Sequence, residues 1–378
     1  MNIALLFVFW SLWFVNFSTR TILSPLLPVI ETELAISHAQ AGSIFSFLSA
    51  GYTITLLLSG LFSPRIGYKR TIILGFVLLS SAALCFTYAH SYASVVMIAL
   101  LVGLGAGIYL PSAIPLITAV FGQDHWGKAI AFHETAASTS ILAIPLLTAV
   151  GLRFFQWRSL FIILSAACLI VLISFWIISP SPRSEEEKRV PLLQVIQRSD
   201  FWIIAILWIF ASSNSLGLYN IIPLLLVKEK GMGLELSNTI FGLSRMGGVL
   251  MVLSAGVLID RYGVKTLLSV VLFVTGIATI GLALAQRFLF LVTMLSIQAT
   301  VASVFFPVGL VAISKLTVVD ERSTFTGTTI AVGVIVGLGV TPALLGAVAD
   351  AVSFQLGMLV LGVLTVLSCA LLRYLRKI

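Results

Sequence analysis

Apolar stretches of membrane-spanning length, separated by short polar ones, run the length of the chain. They fall at 3–30, 39–62, 71–89, 92–121, 129–151 and 159–179, then at 201–227, 237–259, 266–285, 288–314, 325–349 and 355–373. A hydrocarbon layer about 30 Å thick takes roughly 20 helical residues at about 1.5 Å each. The pattern therefore predicts twelve transmembrane helices, six on each side of one interruption. That interruption, 180–200 (PSPRSEEEKRVPLLQVIQRSD), carries three prolines, three consecutive glutamates and four basic residues, so it cannot sit in hydrocarbon. The expected organisation is an N-terminal six-helix half (1–179), a cytoplasmic linker (180–200) and a C-terminal six-helix half (201–378). Within the linker Leu192, Leu193, Val195 and Ile196 suit either an amphipathic turn lying on the membrane surface or a solvated loop. The first run, Ile3 to Val15, lacks a basic leader and a small-residue cleavage site and continues past Pro25 and Pro28 to Ile30. It reads as a retained first span, not a secretory signal.

Composition agrees with this pattern. Charged residues make up 10% of the chain, hydrophobic ones 59%, and the mean hydropathy is +1.13, against about 25% charged residues in soluble domains. The net charge of +8 does not indicate a nucleic-acid partner, because the basic residues are scattered singly or in twos and threes between apolar runs. They report topology instead. With the N-terminus inside, Arg65, Lys69, Arg70, Lys128, Arg183, Lys188, Arg189, Arg198, Arg261, Lys265, Lys315, Arg322, Arg373, Arg376 and Lys377 face the cytoplasm, and Arg153, Arg158, Lys228, Lys230 and Arg287 face out. Fifteen against five places both termini in the cytoplasm of a multi-pass inner-membrane protein. Cys85, Cys168 and Cys369 lie apart inside apolar runs, so neither a disulfide framework nor a metal site is expected.

The chain also repeats itself. Residues 60–70 (GLFSPRIGYKR) recur 196 positions later as 256–266 (GVLIDRYGVKT), and at the same offset Phe45 pairs with Phe241, Pro111 with Pro307 and Asp124 with Asp320. Two copies of one membrane unit follow from this agreement. The two loops resemble the signature of the major facilitator superfamily, roughly Gly-x-Leu-x-Asp-Arg-x-Gly-x-Lys/Arg. Gly256, Leu258, Asp260, Arg261, Gly263 and Lys265 match it throughout, while Pro64 stands where the first copy should carry its acid. The resemblance implies the all-α fold of that superfamily and a cytoplasmic gate at Asp260, Arg261 and Arg65, with the first-half latch weakened by Pro64. Pro25-Leu-Leu-Pro28 with Glu31 and Glu33 is similar to the end of the family's first helix, and Gly103 to Gly107 to its fourth. Ala99 stands where many proton-driven drug exporters carry an arginine, and Ala143-Ile144-Pro145 is a poor match to the antiporter motif of the fifth helix. Both departures lower the drug-antiporter reading.

Glycines at 103, 105 and 107, and at 333, 337 and 339, let helices approach closely or mark gating helices. Pro111, Pro115, Pro145, Pro307 and Pro342 lie within spans, where a missing donor kinks a helix. Trp10, Trp13, Trp202 and Trp208 lie near span ends and suit the interfacial belt.

Ionisable groups within spans are functional candidates because hydrocarbon penalises them. There are three: Arg20, Glu134 and Arg245. None is duplicated, since the 196-residue offset maps Arg20 onto Leu216, Glu134 onto Ile330 and Arg245 onto Ser49. Arg20 lies roughly 15 Å and Arg245 roughly 12 Å in from the outer ends of their helices. Two guanidiniums facing one cavity would bind a carboxylate or phosphate in bidentate fashion; the plainer alternative is an interhelical pair or snorkelling. Glu134 is a candidate proton carrier or a partner for a cationic group, and equally suits a structural ion pair. His133 points about 100° away around the helix, so the two need not share a site. By the family resemblance Asn16, Tyr109, Asn214, Tyr219, Asn220 and Gln298 lie on cavity-lining helices as further substrate contacts, or serve as interhelical glue.

The sequence thus predicts a secondary transporter moving a small solute by alternating access, with an organic anion favoured and H⁺ as a candidate coupling ion. It is expected to act as a monomer in the bilayer, without cofactor. The rival within the class is an exporter of amphipathic or cationic compounds. From another class, a receptor or scaffold that lost transport is disfavoured by the short central loop. No phosphate-cradling glycine loop, HExxH or Cys/His cluster supports an enzyme.

Overall fold

Twelve helices long and apolar enough to cross a membrane form the computed structural model, which describes residues 3–122, 125–181 and 191–375. Among these residues there is no strand. The first six are α1 (Ile3–Leu34), α2 (His38–Ile66), α3 (Tyr68–Tyr88), α4 (Tyr92–Val120), α5 (Trp126–Gly151) and α6 (Trp157–Ile178). The second six are α7 (Ser199–Lys228), α8 (Leu234–Tyr262), α9 (Val264–Ala283), α10 (Phe288–Leu316), α11 (Thr324–Ala351) and α12 (Phe354–Tyr374). Each coincides with one expected stretch, its ends shifted by at most four residues. The extra length is polar: α1 runs on through Glu31, Thr32 and Glu33 and stops where Ala35 turns left-handed (φ 49°) and donates its N–H to the Glu31 carbonyl. Residues 182–190 of the expected linker lie outside the described residues, with Arg183, Lys188 and Arg189. So do Asp124, Arg376, Lys377 and the side chains of Pro64 and Asp320. Leu192–Ile196 forms a short helix in which Leu192 and Leu193 are exposed and Val195 is buried.

Contacts divide the chain into two compact units, Met1–Ile36 with Ile44–Glu186 and Ser37–Ser43 with Glu187–Ile378. The first turn of α2 therefore belongs with the second unit. There the Asp350 carboxylate, at the end of α11, accepts the backbone N–H groups of His38 (2.9 Å) and Ala39 (2.8 Å), donors that no preceding turn can satisfy. The exposed sides of the helices are apolar at helical spacing, as at Ile170, Ile173 and Ile177 of α6, which suits acyl chains.

Several helices are interrupted, and the interruptions have identifiable causes. Pro25 cannot donate to the Thr21 carbonyl, and α1 breaks at Ile22. In the same way Pro111 leaves the Gly107 carbonyl free, and α4 breaks at Ile108. α8 breaks at Ser244–Arg245, just before the pair Gly247–Gly248. α7 and α11 each contain a π-helical segment, Ser213–Gly217 and Val334–Val340. α5 and α10, by contrast, carry Pro145 and Pro307 without interruption.

The duplicated loops take the same shape. Gly67 and Gly263 both adopt positive φ (97° and 77°) at the entry to α3 and α9, where a side chain would be strained. Two residues on, Lys69 Nζ donates to the carbonyls of Trp176 and Ser179 at the end of α6, and Lys265 Nζ donates to the Leu375 carbonyl just after α12. Ser179 and Leu375 are themselves 196 positions apart.

Small residues set the closest helix crossings. A Cβ on Gly103 would lie 2.1 Å from the Leu48 carbonyl oxygen, and one on Gly337 2.3 Å from the Ser212 Cβ. Trp13 and Trp208 correct the expectation of an interfacial belt, since both are 3% exposed. Trp208 packs edge-on against Phe305 (5.5 Å) and over Gly333. Trp202 is exposed, as expected of an interfacial ring.

Candidate functional site

In the first unit the site is assembled from α1, α2, α4 and α5. Trp13, Phe17 and Arg20 follow one another at intervals of four and three residues, which puts them on one face of α1. The Arg20 guanidinium ends 4.4 Å from the Phe17 ring, 5.7 Å from the Trp13 ring and, from α2, 4.6 Å from the Tyr52 ring. It is 9% exposed, and its Nε and Nη2 have no hydrogen-bond partner. Trp13 then lies flat on two further rings, Tyr109 (5.4 Å, 19° between planes) and His133 (5.7 Å, 9°).

Behind Trp13 runs a chain of polar contacts. Tyr109, the first residue after the break in α4, donates its hydroxyl to the Phe9 carbonyl (3.1 Å) and sits 3.0 Å from His133 Nε2. His133 Nδ1 in turn lies 3.0 Å from Glu134 Oε1. The helix projects these neighbours about 100° apart, yet the glutamate reaches back round the helix to meet the imidazole. His133 is fully buried, whereas the Glu134 side chain is 49% exposed. Asn16 is fully buried and donates Nδ2 to the Ala106 carbonyl (3.2 Å), and its Oδ1 is without a partner.

The second unit carries the other buried arginine, at the break in α8. Its guanidinium lies 5.1 Å from the Tyr219 ring and 5.2 Å from the Phe241 ring, which are themselves 4.6 Å apart. Arg245 is 6% exposed, and again Nε and Nη2 have no partner. Asn220, beside Tyr219, is 3% exposed, and its Nδ2 donates to nothing.

Among the described residues no carboxylate lies within ion-pair distance of Arg20 or Arg245. Burying an unpaired cation costs several kcal/mol, and a cation–π contact returns only about 0.5–2 kcal/mol. Each guanidinium is thus an electrostatic deficit that an anion would relieve. The aromatic cages were missed in the sequence, although the spacing of Trp13, Phe17 and Arg20, and of Phe241 and Arg245, carries them.

Two predicted contacts, Asn214 and Gln298, make bonds between helices, although Gln298 Oε1 is left without a partner. Asn214 sits in the π segment of α7 and donates Nδ2 to the Phe210 carbonyl (2.8 Å) and Thr365 Oγ1 (2.7 Å), while its Oδ1 accepts from Thr279 (2.8 Å). Its backbone carbonyl accepts from Gln298 Nε2 (2.7 Å). Together they tie α7 to α9, α10 and α12. Arg65, Asp260 and Arg261 are exposed and form no hydrogen bond or ion pair among the described residues; Arg261 lies over the Tyr262 ring (5.4 Å). A loop cavity lined by Arg198, Asp200, Lys315, Glu321 and Tyr374 contains none of the candidates. Its Arg198 is already neutralised by Asp200 (2.7 Å) and Glu321.

Twelve membrane spans in two repeated units, several of them interrupted and two burying an arginine each, give the architecture of a membrane transporter. The model of the Major Facilitator Superfamily matches residues 9–286 and 239–378, and the chain belongs to that family. It is 36% identical over 93 residues to a hexuronate transporter of Bacillus subtilis, a match covering 25% of this chain and 22% of that protein. It is 25% identical over 275 residues to the multidrug resistance protein MdtL of Shewanella oneidensis, covering 71% of this chain and 67% of that protein. The chain thus spans about a fifth of the first relative and two thirds of the second. Among solved structures, a bacterial homologue of the human lysosomal transporter Spinster superposes with a TM-score of 0.85, at 15% identity, covering 99% of this chain and 96% of that one.

Proposed function

We propose that this transporter carries a small organic anion by alternating access between its two units, with Arg20 and Arg245 binding the carboxylate or phosphate. The observation that carries this reading is that each unit buries one guanidinium whose Nε and Nη2 are unsatisfied. A bidentate oxyanion fits such a fork, and the aromatic cages hold it in place without neutralising it. Tyr219, Asn220 and Asn16 supply neighbouring polar atoms, and Asn214 and Gln298 act as interhelical ties. Glu134 with His133 carries the coupling proton. Asp260, Arg261 and Arg65 serve a cytoplasmic gate in another access state, both termini lie in the cytoplasm by the distribution of Lys and Arg, and the protein works as a monomer. The likeness to a hexuronate transporter agrees with an anionic substrate.

The likeness to MdtL favours a second reading, an exporter of amphipathic or cationic compounds in which the half-exposed Glu134 meets the cation. A thermal-shift panel of carboxylates, phosphates, cations and neutral amphipaths on purified protein decides between them. The anion reading expects carboxylate or phosphate hits that disappear in both Arg20→Gln and Arg245→Gln. Hits confined to cations that disappear in Glu134→Gln would sink it.

A further inference from the structure

The contacts of Tyr109, His133 and Glu134 permit a count of protons. A hydroxyl has one proton to give, a backbone carbonyl can only accept, and each ring nitrogen is either a donor or an acceptor. The one Tyr109 proton has two acceptors in reach, the Phe9 carbonyl (3.1 Å) and His133 Nε2 (3.0 Å). When it goes to Nε2 the ring is neutral and Nδ1 donates to Glu134 Oε1 (3.0 Å). When it goes to Phe9, Nε2 must carry a proton to meet the Tyr109 oxygen, and Nδ1 must carry another to meet Glu134. The second arrangement holds one proton more than the first, with His133 as an imidazolium.

We infer that Tyr109, His133 and Glu134 form a single-proton binding site whose heavy-atom arrangement serves both the loaded and the unloaded state. The site rests on the proton coupling proposed above and names the atoms that hold the proton. Unloading reverses the whole chain without moving a heavy atom far. With the shared proton gone, Nδ1 keeps the ring's one proton and donates it to the Glu134 carboxylate, Nε2 becomes an acceptor, and the Tyr109 hydroxyl turns from Phe9 to Nε2. The one bond lost is that between Tyr109 and the backbone of α1.

That bond gives the site a reach beyond its own residues. α1 carries Phe9 near one end, Trp13 in the aromatic stack and Arg20 in its cage, so proton occupancy on α5 is communicated to the helix that holds one of the unsatisfied guanidiniums. Among the described residues the surrounding charged and titratable groups are few. They are Arg20 on α1, Tyr52 on α2, near enough to sense the charge of Glu134, and Tyr109 on α4. On α5 itself Lys128 lies more than a turn away and is exposed. Glu134 is half exposed, whereas His133 is sealed.

Trp13 reports on the site because its indole is stacked on His133. An imidazolium in that position withdraws electron density from the excited indole and quenches its emission, and a neutral ring does not. The experiment titrates the full-length protein in lipid nanodiscs between about pH 5 and 9, without substrate, and takes the difference in fluorescence between wild type and Trp13→Phe. The expected result is one step with the slope of a single proton. In Glu134→Gln the partner charge is gone and proton affinity should fall about tenfold or more. In Tyr109→Phe, which removes one oxygen and leaves the ring stack, the Nε2 proton loses its acceptor and affinity should fall again. A flat difference signal, or a step unmoved in both variants, overturns the proposal. The measurement is made at equilibrium, so a transporter that ignores the pH gradient would overturn the coupling reading while leaving the proton site in place.

Discussion

Glu33 and Glu229 lie 196 positions apart and do the same work in the two units. Glu33, at the end of α1, accepts from Trp157 Nε1 and Arg158 Nη1, both at 2.6 Å, at the start of α6. Glu229, just after α7, accepts the backbone N–H of Phe354 (2.6 Å) at the start of α12. The same offset maps Arg158 onto Phe354, so a side-chain donor in one copy has become a backbone donor in the other. In the second copy the carboxylate meets a helix-start N–H that the turns of α12 cannot satisfy, and in the first it meets two side-chain donors of α6. Glu229→Ala should therefore lower stability by about 1 kcal/mol, the usual worth of a helix cap. Glu33→Ala should cost about 1–3 kcal/mol, because its solvated ion pair with Arg158 adds little but the N–H of the buried Trp157 loses its acceptor. Thermal unfolding in detergent measures both, and an unchanged melting temperature in either variant would contradict the assignment.

The motif lysines make a parallel prediction. Lys69 and Lys265 tie α3 and α9 to the carbonyls that end α6 and follow α12. A cation there neutralises the negative end of a helix dipole, worth about 0.3–1 kcal/mol. Lys69→Met and Lys265→Met should each lose about that amount of thermal stability, whereas Asp260→Asn, exposed and unbonded here, should lose none. Equal losses for all three would show the acid engaged as the lysines are.

The spans, the six-and-six division and the repeat were legible because they rest on hydropathy and spacing, which survive whatever each side chain does. The loop glycines and lysines were legible for the same reason. What could not be read was side-chain commitment. Asn214 and Gln298 look like any polar residues on cavity-lining helices until the π segment of α7 turns Asn214 toward α9 and α12 and presents its carbonyl to Gln298. His133 and Glu134 look separated by the helical angle until the glutamate's two methylenes carry its carboxylate back. Trp13 and Trp208 look interfacial by position, but their rings fold inward onto Tyr109 and Phe305. Each of these placements is set by a choice of rotamer or a local change in helical pitch, and neither leaves a trace in a single sequence. The aromatic partners of Arg20 did leave one, since residues at i−3 and i−7 share its face.

Asn214 offers a clean separation of packing from binding. Asn214→Ala removes two interhelical bonds, but the Thr279 and Thr365 hydroxyls retain intrahelical acceptors at Thr275 (2.9 Å) and Leu361 (2.7 Å). The Gln298 bond survives because it goes to the backbone. Interhelical side-chain bonds in membranes average about 0.6 kcal/mol, so the variant should lose about 1 kcal/mol of stability. Its affinity for any ligand found in the thermal-shift panel should stay within about twofold of wild type. A loss of binding without loss of stability would return Asn214 to the substrate site.

The two buried arginines should behave in the opposite way. A charge held in a structural pair destabilises a protein when it is removed, because its partner is left buried and alone. Arg20 and Arg245 have no such partner among the described residues, and each is surrounded by aromatic rings. Replacing either by methionine, of similar length and without charge, relieves the desolvation penalty and keeps the packing against those rings. Arg20→Met and Arg245→Met should therefore melt at or above the wild-type temperature without ligand, and should lose the stabilisation that an anion gives to wild type. Arg→Lys keeps the charge but loses the planar fork, so anion affinity should fall about tenfold or more, as expected for a bidentate site. The signature of an anion site is the pairing of these results, unliganded stability kept or raised and ligand response abolished. Methionine variants that melt well below wild type would instead mark both arginines as parts of the scaffold.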